Sequence, residues 1–275
     1  MRYPESKLPD IGTTIFTVMS KMAADHNAIN LSQGYPDFDG PRDLLERVGH
    51  YIAQGANQYP PMTGVPSLRE AIAEKVQDHY GRTLSADNEV TVTSGATEAL
   101  FDAISSVVSV GDEVIVFDPA YDSYVPTILL NGGIPVHIQL QPPHFTIDWD
   151  AVKSALTPKT RLMVLNSPHN PTGTVLGGDD LQALIELVKG TDILLIGDEV
   201  YEHIVFDGCK QKSFICFDEL YERSFTVSSF GKTYHATGWK VGYCVAPPSL
   251  TREFRKIHQY VTFTTTGPMQ YAIAD

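Results

Sequence analysis

The amino-acid sequence predicts an α/β protein, a three-layer α/β/α sandwich built around a mostly parallel sheet. Three observations carry that expectation. From Glu89 onward, short β-branched apolar runs alternate with amphipathic helical segments, as in a parallel sheet covered on both faces. Nearly every apolar run ends in Ser, Gly, Asn, Asp or Pro, residues that stop a strand and open a turn or a helix. Finally, 43% hydrophobic and 19% charged residues in a chain of 275 is ordinary globular composition with material for a large core.

In chain order, residues 1–30 read as an arm and then a helix. Thr13 and Thr14 supply caps for Ile15, Phe16, Val18, Met19 and Met22 at helical spacing. Residues 31–41 are too rich in Gly and Pro for a helix and read as an ordered loop. A helix follows from 42 to about 54, then a loop at 57–64, then a helix from Pro66 to about 80. The alternating part begins with a strand at 90–93 and a helix at 98–108. Further strands are expected at 114–117, 135–138, 162–165, 193–197, 225–227 and 241–245. Helices are expected after the strand at 114–117, near 149–156, up to about 188, and at 250–262. Residues 267–270 start a fresh helix that the sequence interrupts at Asp275, so a chain cut before a C-terminal domain is expected. The domains expected are 1–35, an arm with part of a small domain, and 36–275, a large domain.

Charge and targeting signals narrow the function. A net charge of −13 argues against nucleic acid and against anionic membrane surfaces as partners. An anionic ligand must then be held by a local cluster of donors. Cys209, Cys216 and Cys244 form no even framework and no C-x-x-C pair, which points to a reduced compartment. No apolar leader core or membrane-length run is present, so the expected location is the cytoplasm.

Ligands of open α/β sheets bind outside the carboxyl ends of the strands. The residues there make sense together rather than singly. Ser94-Gly95-Ala96-Thr97 opens a helix whose bare amides and dipole favour an anion. Ser229 and Lys240 offer the same anion a hydroxyl and a fixed positive charge. Asp198 ends an apolar strand, where a carboxylate needs a partner such as a protonated ring nitrogen. Tyr121 is placed to stack on an aromatic ring, and Asn170 and Tyr201 offer neutral hydrogen bonds to a ring oxygen. Lys232 follows a strand and is packed by Gly231 and aromatics, so burial lowers its pKa toward the neutral amine that attacks a carbonyl. Gly231-Lys232-Thr233 looks like the end of a phosphate loop, but that motif needs glycine at 226, where Thr226 stands. Taken one at a time, each of these residues also fits a plain cap, turn, core or surface role. As a set they specify pyridoxal 5'-phosphate (PLP), with no metal.

The motifs Asn170-Pro171-Thr172-Gly173, Asp198-Glu199-Val200-Tyr201 and Ser229-Phe230-Gly231-Lys232, with Lys240 further on, resemble those of fold-type I PLP aminotransferases of class I/II. Longer stretches at 31–38, 58–64, 141–145 and 237–243 resemble a branch holding bacterial methionine aminotransferases and kynurenine aminotransferases. The resemblance implies a transaminase that moves an amino group from an amino acid, methionine or aromatic by preference, to a 2-oxo acid. It implies that Lys232 is the Schiff-base lysine and proton carrier and that Asp198 keeps the pyridine nitrogen protonated. Asn170 and Tyr201 then bond the ring oxygen, Tyr121 stacks on the ring, and Gly95, Ala96, Thr97, Ser229 and Lys240 hold the phosphate. It further implies a homodimer in which Tyr59 reaches the neighbouring site, and Gly34 beside the substrate carboxylate. The family clamps that carboxylate with an arginine, and no arginine here sits in a matching motif. The rivals on the same frame are a carbon–sulfur β-lyase and an inactive fragment that only binds cofactor. A non-catalytic regulator is a rival of another class.

Overall fold

The computed structural model of the chain describes residues 3–34 and 38–275, and divides into two compact units, residues 1–39 and 40–275. Tyr35, Pro36 and Asp37 of the expected loop, and with them the expected boundary at 35/36, lie outside the described residues. In the first unit the helix Ile15–Asp25 begins where Thr14 Oγ1 accepts the Thr17 N–H at 3.3 Å, as the threonine pair predicts.

The second unit is built on one seven-stranded sheet. Its strands are β1 (Val90–Thr93), β2 (Glu113–Asp118), β3 (Ile134–Gln139), β4 (Thr160–Asn166), β5 (Leu194–Asp198), β6 (Ser224–Ser229) and β7 (Gly242–Val245). Their order across the sheet is β1-β7-β6-β5-β4-β2-β3. The neighbours from β3 through β6 pair parallel, whereas β7 pairs antiparallel with both β6 and β1. Six strands therefore point one way and β7 runs against them. The reason is the connection before it: between Ser229 and Gly242 the chain makes only two single helical turns, Phe230–Thr233 and Thr237–Trp239. That segment cannot supply the crossover helix a parallel return needs.

Both faces of the sheet are covered, which is why the central strands β2, β4 and β5 are mostly apolar. Along β2, Val114 and Val116 point to one face and Ile115 and Phe117 to the other. The first face meets Leu100 and Ile104 of the helix Gly95–Val107 and Phe254 of the helix Pro248–Val261. The second meets Val152, Leu181, Leu184 and Ile185 from the helices Trp149–Ala155 and Gly178–Val188. A third cluster sets Leu68, Ile72 and Val76 of the helix Pro66–Tyr80 on Val90, Val92 and Val245.

Three local expectations shift, and each shift bears on the strand ends. The helix expected to start at Glu98 starts at Gly95, because the Glu98 side chain reaches back to accept the Ser94 N–H and caps the extra turn. β5 runs one residue further than expected, so Asp198 is its last residue and pairs with Val227. Lys232, expected at the end of a strand, lies in the one-turn helix that follows β6 directly. Among the described residues no helix is long and apolar enough to cross a membrane.

Candidate active site

The sheet brings one edge of the second unit to a focus. Ser94 follows β1, and Asp118, Asn166, Asp198 and Ser229 end β2, β4, β5 and β6 at that edge, where β7 starts with Gly242. This is where an α/β sheet presents its loops to a ligand.

Asp198 lies deepest, with 2% of its surface exposed. The Tyr124 hydroxyl donates to its Oδ2 at 2.5 Å, while among the described residues Oδ1 receives only the Val200 N–H at 3.4 Å. Burial pushes the carboxyl up to about 6, and the Tyr124 hydrogen bond offsets part of that rise. Tyr124 was not singled out from the sequence, because Tyr-Val-Pro-Thr-Ile-Leu-Leu reads as an apolar helix whose tyrosine belongs to the core. Its spacing from Tyr121 was the available signal. The two rings meet edge to face at 5.7 Å, and burial raises the Tyr121 phenol while the nearby Thr97 side chain works against that rise. Asn166 joins the neighbouring loop to this floor: its Nδ2 donates to the Asp198 carbonyl at 2.8 Å, and its Oδ1 accepts the Asn170 N–H at 2.6 Å.

Lys232 faces the same place from the other side. Its ammonium sits 5.5 Å from the centre of the Tyr201 ring. Burial first, and then the charge of Lys240, lower its pKa. Burial and the charge of Asp198 raise the Tyr201 phenol, so the acid, the tyrosine and the lysine share one field.

The helix N-terminus completes the set. A Cβ at Gly95 would lie 3.3 Å from Lys240 Nζ and 3.2 Å from its Cε, which places the lysine head against the first helical residue. Lys240 aims back this way from a left-handed backbone, φ 53°, uncommon for lysine. Gly242 makes the approach possible. A Cβ there would lie 2.7 Å from the Ala96 nitrogen and 2.8 Å from the Ser228 carbonyl oxygen, so only glycine lets β7 pass the helix start. Ser229 stands at the turn into the Lys232 helix, with its Oγ 3.4 Å from where a Gly231 Cβ would be. Ala96 and Thr97 fill the rest of the first helical turn.

One singled-out residue of this unit does not join this group. Tyr59, on the 57–64 loop, is 85% exposed and meets Phe263 edge to face at 5.9 Å. Gly34 belongs to the first unit. Beneath the group lies a buried network that sequence reasoning missed. Glu202 binds Lys75 Nζ at 2.6 Å and accepts hydrogen bonds from Tyr80, Ser228 and Tyr243. It thereby clamps the residue after Tyr201 to the residue before Ser229.

The donor set fits PLP. A buried carboxylate with one weakly satisfied oxygen suits a protonated ring nitrogen, and a lysine with a lowered pKa suits an aldehyde. A helix start with a lysine head over its glycine suits a phosphate.

Comparison with known proteins points the same way. The sequence model of the family described as aminotransferase class I and II matches residues 26–275. The chain is 58% identical over 272 residues to a methionine aminotransferase of Escherichia coli strain K12, covering 99% of this chain and 70% of that protein. It is 36% identical over 289 residues to a kynurenine–oxoglutarate transaminase of Dictyostelium discoideum, covering 98% and 66%. Among solved structures, YbdL of Escherichia coli, a methionine aminotransferase, superposes with a TM-score of 0.96 at 56% identity, covering 100% of this chain and 72% of that one.

Proposed function

The chain belongs to the class I and II aminotransferases, and from that premise we propose that it moves the amino group of methionine or an aromatic amino acid to a 2-oxo acid, using PLP held at the strand ends. The bound cofactor supplies an aldehyde that takes up the amino group and a ring that draws electrons from the substrate Cα. The rest is the work of this chain's own residues. Asp198 keeps a proton on the ring nitrogen from a site where its charge is otherwise costly. Lys232, nearer neutrality than a surface lysine, takes the proton from the substrate Cα and returns it at the cofactor carbon. Asn170 and Tyr201 bind the ring oxygen, and Tyr121 packs on the ring. The amides of Gly95, Ala96 and Thr97, the Ser229 hydroxyl and the Lys240 ammonium bind the phosphate.

One observation carries this reading. The Lys232 amine and the Asp198 carboxylate bracket a single tyrosine, Tyr201, at adjoining strand ends. The donor preference is supported by the names of the two relatives, methionine aminotransferase and kynurenine transaminase. A homodimer is supported by exposed aromatics: Tyr59 at 85% and Tyr260 at 87%, with Phe263 beside Tyr59. A cytoplasmic site of action is supported by the three unpaired cysteines.

The test is spectroscopic. Loaded protein is expected to be yellow, and borohydride is expected to fix one cofactor per chain on Lys232. Lys232→Ala should bind cofactor without covalent capture and lose at least ~1,000-fold in the methionine half-reaction. Capture that persists in Lys232→Ala would remove Lys232 from this role.

A further inference from the structure

The helix start assigned above to the phosphate carries a problem of charge. Glu98 lies in the first turn of that helix, and its Oε2 accepts the N–H of Ser94, the residue that opens it. A carboxylate so placed repels any anion bound at the same helix end. Asp102, one turn further on, is fully buried, and among the described residues neither of its oxygens has a hydrogen-bond partner. Two acids thus stand behind a site that must hold a phosphate.

His258, fully buried on the helix Pro248–Val261, faces both. Its Nε2 lies 2.8 Å from the Met62 carbonyl oxygen, an atom that only accepts, so Nε2 carries a proton. Its Nδ1 lies 2.8 Å from Glu98 Oε1 and 3.5 Å from Asp102 Oδ2. With two carboxyls at Nδ1 and a carbonyl at Nε2, the surroundings favour the imidazolium. Thr262 also donates to Glu98, and a histidine so placed is held well above its ordinary range. Burial works against the charge, and the Asp102 and Glu98 carboxyls beside Nδ1 outweigh it.

We propose that His258 is a positioning residue for cofactor binding: its fixed positive charge cancels Glu98 and so keeps the start of the Gly95–Val107 helix receptive to phosphate. This rests on the PLP reading above. It extends that reading to a residue outside the set assigned to the cofactor. The same imidazolium ties the 57–64 loop, through Met62, to the phosphate end of the helix.

The experiment compares two probes that differ only in phosphate. Affinities of PLP and of unphosphorylated pyridoxal are measured by absorbance titration of the apo chain. The wild type, His258→Gln and the double variant Glu98→Gln/His258→Gln are titrated, and thermal midpoints are recorded alongside. His258→Gln leaves Glu98 uncompensated, and PLP affinity should fall roughly tenfold or more while pyridoxal affinity stays within about twofold. The double variant removes both charges, keeps an acceptor for the Ser94 N–H, and should recover most of the loss even where its midpoint remains low. Equal losses for the two probes in His258→Gln, or no recovery in the double variant, would overturn the proposal and leave the cofactor reading standing. A wild type that binds both probes equally would remove the phosphate site itself.

Discussion

Asp198, the last residue of β5, and Glu202, in the turn that follows, are buried carboxylates on either side of Tyr201, and the structure treats them in opposite ways. Glu202 is saturated: Lys75, Tyr80, Ser228 and Tyr243 all reach it. Burial alone would raise its pKa, but the Lys75 charge and these hydrogen bonds outweigh burial and hold it below the ordinary range. Asp198 has one strong donor and one long one, burial wins, and its carboxyl rises to about 6. A buried acid with every oxygen satisfied is a structural tie. A buried acid left partly unsatisfied at a strand end has capacity reserved for a ligand.

The contrast can be broken by three substitutions. The largest effect is expected from Asp198→Asn, which removes the partner of the ring nitrogen. The half-reaction rate should fall at least ~1,000-fold, while some yellow colour and the fold remain. The same variant has a pH signature. A carboxyl whose folded pKa is raised to about 6, against about 3.9 in the unfolded chain, stabilises the apo protein fully at low pH. That contribution is lost as pH rises through about 6. The stability difference between wild type and Asp198→Asn should therefore change between pH 4 and 7 and be flat above, as followed by urea melts.

Lys75→Met comes next and tests the other member of the pair. It strands Glu202 as a buried charge without its cation, an arrangement that typically costs about 3–5 kcal/mol. The urea midpoint should drop accordingly, while the folded fraction keeps its half-reaction rate within about tenfold. If Lys75→Met abolished chemistry without loss of stability, Glu202 would belong to the site rather than to the frame. The smallest effect is expected from Tyr124→Phe, which takes away the one strong donor to Asp198. The Asp198 carboxyl should rise further, moving the acid limb of PLP binding to higher pH and weakening affinity roughly tenfold. No movement of that limb would mean that Tyr124 is only packing.

Much of this site was legible in the chain because strand ends announce themselves. Asp198, Ser229 and the Ser94–Thr97 stretch each follow a β-branched run at the point where small or polar residues interrupt it. Tyr124, Lys75 and Glu202 were not legible. Each lies inside a segment whose local pattern has an ordinary explanation: an apolar helix, a solvated helix face and a polar turn. Gly242 stood in a strand, where a glycine marks a close approach without saying what approaches. His258 and Glu98 are 160 positions apart. No local periodicity signals that one neutralises the other.

By itself the amino-acid order determined the alternation of strand and helix, the burial of both sheet faces, and which residues fall at the strand ends. Those follow from side-chain period and turn chemistry, which act over a few neighbours. Only the tertiary structure decided that β7 reverses, that Lys240 folds back over Gly95, and that Asp198 stays partly unsatisfied while Glu202 is saturated. Those depend on desolvation and on partners brought from distant parts of the chain, and both exist only once the core has closed.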